Sequence, residues 1–163
     1  MNVNPKSRWI LLGVACVASL ANLARAESPA SPAPPSYDAA LAQRLGADER
    51  GMKKYVLVIL KTGPAVNVDK QTTAKLFDGH MANINRLAKE GKLVLAGPLE
   101  KNAHNYRGIF VFNTSSVEET EVLLKTDPAI AGGLLAYECF DWYGTAAMME
   151  IMAIHRRIDK TAR

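Results

Sequence analysis

The stretch Lys54–Lys61, KYVLVILK, limits the fold of this chain more than any other. An amphipathic helix spaces its apolar residues by three and four, and a half-buried strand spaces them by two. Tyr55 to Leu60 is instead an unbroken apolar run, rich in β-branched residues and closed by Thr62-Gly63-Pro64. Such a run reads as a central strand buried on both faces. The rest of the chain must therefore supply a sheet around it and cover for that sheet.

Asp69 to Glu90 reads as a long helix. Leu76, Phe77, His80, Met81, Ile84, Leu87 and Ala88 recur at spacings of three and four and make one apolar stripe. Asp69 suits the N-cap, and Gly91 suits the left-handed position just past the end. Lys92–Ala96 is a second strand, which Gly97-Pro98 is expected to break. A polar loop to Tyr106 follows, then a third strand, Arg107–Phe112. Val117–Lys125 is a second helix, with Ser115 or Ser116 as cap and acidic residues in the first turns, where the helix dipole favours them. Asp127-Pro128 opens a turn reaching Gly132, Leu134–Tyr143 is a fourth strand, and Thr145–Ile158 reads as a C-terminal helix.

The order is β-α-β-β-α-β, so the expected class is α+β, a ferredoxin-like unit with an antiparallel sheet. Both helices pack on one sheet face and leave the other bare. Apolar residues alternate on both faces of the strands, so the second face needs cover. A partner sheet in a homodimer would provide it, and so would the flanking helices.

The N-terminus reads differently. Lys6 and Arg8 precede a 12-residue apolar run, Trp9–Leu20, and Ala24-Arg25-Ala26 offers small residues at the positions a signal peptidase reads. Residues 1–26 are expected to be a secretory signal peptide cleaved after Ala26, leaving a periplasmic or secreted protein with no membrane association. A retained anchor, or lipidation at Cys16, is the alternative. With Lys6, Arg8 and Arg25 gone, twenty basic residues become seventeen against sixteen acidic, a net charge of +1. The basic balance belongs to the leader, and no nucleic-acid partner is expected. The mature chain keeps only Cys139, so it forms no internal disulfide; in its apolar-aromatic run this thiol is expected to be buried and inert. Residues 27–52 form a Pro/Ala-rich tether and a short helix, Tyr37–Leu45, stopped by Gly46. The folded domain is expected at 53–144, with a helical extension at 145–163.

The chain has no glycine-rich phosphate loop and no GxSxG, and its three histidines lie in no cluster with metal-ligand spacing. Neither a metal nor a cofactor is expected. His104, in a polar loop, and His155, beside Arg156 and Arg157, read as solvated. His80 is different, because it lies on or beside an apolar stripe. A neutral imidazole there both donates and accepts, which suits proton transfer near neutral pH. A core histidine with satisfied hydrogen bonds fits the same pattern. Gly79 before it costs helix stability and lets another group come close. Asp127 before Pro128 is a good N-cap in its own right. The topology also lets the segment after the second helix approach the first, where a carboxylate could orient an imidazole.

His80, Glu90-Gly91-Lys92-Leu93, Ala96-Gly97-Pro98 and Thr126-Asp127-Pro128-Ala129 together resemble the YciI-like (YCII-related) domain of the dimeric α+β barrel superfamily, over about Lys53 to Tyr143. The resemblance implies a ferredoxin-like fold, homodimers with sheets face to face, and a pocket holding a His–Asp pair, here His80 and Asp127. It is similar in fold to cofactor-free isomerases and monooxygenases, and some relatives are credited with isomerisation or elimination on small ring compounds. Relatives often carry an arginine shortly before the histidine, which Lys75–Gly79 lacks. The expected function is cofactor-free proton transfer on a small organic substrate. His80 and Asp127 would be catalytic, Gly97 and Pro98 would shape the pocket wall, and Tyr106 would bind substrate. A non-catalytic ligand-binding or dimeric assembly module is the competing reading.

Overall fold

The computed structural model describes residues 36–160. The expected signal peptide and the tether up to residue 35 lie outside the described residues. In chain order the elements are α1 (Ala39–Leu45), β1 (Met52–Thr62), α2 (Lys70–Lys89), β2 (Leu93–Pro98), β3 (Tyr106–Phe112), α3 (Val117–Leu124), α4 (Pro128–Ala131), β4 (Leu135–Thr145), a 3₁₀ turn (Ala146–Glu150) and α5 (Ile151–Ile158). The sheet order is β2-β3-β1-β4, with every neighbouring pair antiparallel. This is the α+β, ferredoxin-like arrangement expected from the order of elements.

The caps explain where the helices begin and end. Asp69 extends its backbone and accepts from the amides of Gln71 and Thr72, two donors the first turn of α2 cannot satisfy itself. Gly91 ends that helix with φ 68°. Asp38 and Gly46 do the same for α1, and Ser116 caps α3.

β1 lies at the centre, but its two faces differ. Val56, Val58 and Leu60 are fully buried against the helices, with Leu87, Phe110, Phe112, Leu124 and Leu135. Leu57 and Ile59, on the opposite face, are only half-buried. There a smaller cluster of Tyr55, Val94 and Val111 is covered by Met148 and Met149 from the 3₁₀ turn. The cover stops short of β4, where Phe140 is 46% and Trp142 37% exposed.

Two boundaries differ from expectation. Gly97-Pro98 does not break the second strand; both residues pair with β3, opposite Ile109 and Gly108. Their strand is at the sheet edge, where the missing proline N–H removes no bond to a further strand. The fourth strand also runs on through Gly144 to Thr145, because β1 offers partners down to Met52. A Cβ at Gly144 would lie 2.4 Å from the Trp142 ring, so this glycine makes room for an aromatic on the same face. The C-terminal segment consequently turns helical only at Ala146, and does so first as a 3₁₀ turn.

Candidate functional site: a buried His–Asp pair on an apolar cleft

The site starts from α2. Asn83 and Leu87 are buried on the same side of this helix as His80, which is 8% exposed. The helical repeat of three and four residues aligns these positions. α4 packs across α2, and the contact depends on Gly79: a Cβ there would stand 2.7 Å from Pro128 Cγ and 3.0 Å from its Cβ. The absent side chain lets the proline ring seat against the helix. Asp127, the residue before that proline, is thereby carried to the next position along α2.

Asp127 is 1% exposed, and its two oxygens have different tasks. Oδ1 accepts from the backbone amides of Ala129 at 2.9 Å and Ile130 at 3.4 Å, capping α4. Oδ2 lies 2.7 Å from His80 Nδ1 and accepts from Asn83 Nδ2 at 3.5 Å. The N-cap and the histidine partner are therefore one residue in both capacities. Burial pushes the Asp127 carboxyl up, but the bond and charge of His80 and the two capping amides outweigh it and hold the group below its ordinary value. An ionised Asp127 accepts a hydrogen bond from Nδ1–H, which leaves Nε2 as the unprotonated nitrogen of the neutral ring.

Nε2 has no hydrogen-bond partner among the described residues. No fully buried side-chain nitrogen or oxygen there lacks one, so Nε2 is not fully enclosed. His80 lines a cleft of about 660 Å³ between α2, the β2 edge and α5, a size typical of small-ligand sites. Phe110 stacks on the imidazole at 5.9 Å, and Phe77 meets it edge-on at 6.0 Å. Apolar side chains make up most of the lining, which lowers the local dielectric and strengthens any charge interaction within it.

Of the other residues expected to form the site, Gly97 and Pro98 line this cleft. Tyr106 is not among the lining residues; its ring stacks on His104 at 5.3 Å. Sequence reasoning missed the support behind the pair. Arg86 Nη2 donates to Asn83 Oδ1 at 2.7 Å and to Thr126 Oγ1 at 2.9 Å, and Glu90 holds the same guanidinium from one turn on. Asn83 and Arg86 sit three and six residues after His80, a helical spacing that could have marked them. Arg107 and His155 on the cleft wall were also missed. Cys139 is half-buried rather than buried, and burial together with the charge of Glu121 pushes its thiol up to about 11. Among the described residues, no three His, Cys, Asp or Glu side chains are grouped to hold a metal ion, and no helix is long and apolar enough to cross a membrane.

Two solved structures are similar over about half of this chain. One is 5-chloro-2-hydroxyhydroquinone dehydrochlorinase from Burkholderia phenoliruptrix, in complex with 2,5-dihydroxybenzoquinone, at 19% identity and TM-score 0.42, covering 54% of this chain and 92% of that one. The other, from Bacteroides fragilis, is a dimeric protein of unknown function and ferredoxin-like fold, at 13% identity and TM-score 0.39, covering 56% and 95%. No curated protein matches the chain. The family model of the YCII-related domain matches residues 54–143, more than half of the 163 residues, and the chain belongs to the YCII-related domain family.

Proposed function

We propose that this protein is a cofactor-free enzyme that moves a proton on a small organic substrate, with His80 as the base and Asp127 as its positioning partner. The observation that carries the reading is the 2.7 Å contact between His80 Nδ1 and a buried carboxylate, on a histidine that lines an apolar cleft. A core histidine kept only for packing needs no ligand-sized space beside it. In the reaction Nε2 takes a proton from substrate carbon, and Asp127 stabilises the imidazolium that forms. The freed electron pair makes a double bond. In an elimination a leaving group departs with its own pair; in an isomerisation the imidazolium returns the proton at a second carbon. Gly97 and Pro98 form wall. Residues 1–26 carry the features of an export leader, and the substrate is met in the periplasm or outside the cell.

The test is turnover of lactones and halogenated ring compounds by the intact protein and by His80→Ala. For a substrate that is turned over, the variant is expected to lose about 10²–10⁴-fold in rate. An unchanged rate rejects His80 as the base.

The half-covered sheet face supports a homodimer as part of the same proposal. Leu57 pairs with Phe140 and Tyr55 with Trp142, and these side chains form an apolar face that the 3₁₀ turn leaves partly open. A second copy, sheet against sheet, would cover it.

A further inference from the structure

Two elements measure the length of the cleft. α2 lines it with Phe77, His80, Met81, Ile84 and Ala88, one helix face across eleven positions, about 16 Å at helical rise. β2 lines it from Leu93 to Pro98, about 16 Å at strand rise. The two run side by side, because the chain turns back at Gly91 and is pinned at two levels. Near the turn, the Lys92 amide donates to the Leu87 carbonyl at 3.0 Å, and Leu93 shares the core cluster with Leu87. Farther along, His80 stacks on Phe110 at 5.9 Å, and Phe110 pairs with Ala96 of β2. His80 is therefore level with Ala96, while Ala88 and Leu93 lie together near the turn.

The polar groups are unevenly placed along this length. From His80 to Ala88 is eight residues, about 12 Å, and over that run the walls include Ile84, Ala88, Leu93 and Leu95. Asn85 also lines the cleft but is exposed. Arg107 belongs to the opposite end, where its carbonyl accepts from the Leu99 amide past Pro98. α5 adds Ile151 and Met152, together with His155, which has Asp159 3.9 Å away. These residues lie beyond residue 143, where the match to the family ends, so this wall comes from the C-terminal extension and not from the matched domain.

An apolar trough with a base toward one end suits a ligand built in the same order. From this we propose that the substrate carries its reacting carbon on a polar head at His80 and an uncharged alkyl tail that lies between α2 and β2 toward Ala88 and Leu93. The proposal rests on the reading of the cleft as a substrate site, and it makes Ala88 the residue that sets tail length. Each methylene that leaves water for these walls adds to affinity in proportion to the area it buries.

Binding of γ-lactones with side chains of two, four, six and eight carbons to the intact protein, by titration calorimetry, tests it. Affinity is expected to rise about three- to fourfold per added methylene. Ala88→Phe fills the far end of the trough. It is expected to leave the two-carbon lactone unaffected and to weaken the eight-carbon one about tenfold or more. Ala88→Val, a smaller step at the same half-buried position, is expected to give a smaller loss in the same direction, with circular dichroism checking that both variants fold. Affinity independent of chain length, no binding of any member, or Ala88 variants that bind the whole series like the wild type overturns the proposal. His80→Ala separates the two proposals: it is expected to keep the chain-length dependence while losing turnover. Chain-length dependence with turnover indifferent to His80 supports the tail site and rejects the base. A flat binding series with turnover lost in His80→Ala rejects the tail site and keeps the base.

Discussion

At the scale of single residues, Asp127 concentrates the most consequence. One carboxylate both caps α4 and orients His80. Asparagine is as good a cap, so Asp127→Asn is expected to fold. It loses the charge-assisted bond, costing about 1.5–3 kcal/mol in urea unfolding, and the fixed tautomer, costing about 10²–10⁴-fold in rate. The pH dependence has a definite sign. The folded state holds this carboxyl below its ordinary value of about 3.9. Its contribution is complete above that pH and is lost as pH falls through the folded value, because the unfolded chain binds the proton first. Urea unfolding between pH 5 and pH 3 should show a steeper loss of stability in the wild type than in Asp127→Asn. Equal slopes would remove Asp127 from the acid response.

At the scale of elements, the joint between α2 and α4 decides whether a site exists. Helix propensity alone favours Gly79→Ala by about 1 kcal/mol. The new Cβ would meet a ring fixed to the backbone at 2.7 Å, so α4 must shift and Asp127 with it. We expect a net destabilisation of about 1–3 kcal/mol and a loss of turnover exceeding what the stability change explains. A more stable, equally active variant would reject the joint. Elements were the most legible scale in the sequence: Asp69, Ser116 and Gly91 carry local rules, and each stands where those rules put it. The end of β2 was misread because Gly-Pro is a breaker only where a neighbouring strand needs the proline's N–H, and edge position is not a local property. The fourth strand's run past Tyr143 was missed for a related reason, since pairing with β1 and the overlying Trp142 ring decide it.

At the scale of the whole molecule, the sheet face opposite α2 governs association. Phe140 and Trp142 remain over a third exposed beside a cluster that is otherwise covered. Light scattering at micromolar concentration is expected to give the mass of two chains. Phe140→Glu places a charge in the proposed interface and should give one chain, with unchanged circular dichroism. A wild type that is already monomeric would mean that the 3₁₀ turn and α5 provide all the cover the face has.

The sequence by itself determined the succession of strands and helices, their caps, and the candidacy of His80 and Asp127, because apolar periodicity and capping chemistry act over a few residues. It left both of those residues with a plain structural explanation. Only the tertiary structure decided that they meet at 2.7 Å across 47 positions of chain, that Gly79 is the seat for Pro128, and that α2, β2 and α5 line one cleft. Those facts depend on which surfaces of distant segments come into contact, and no local pattern of residue types specifies a distance between them.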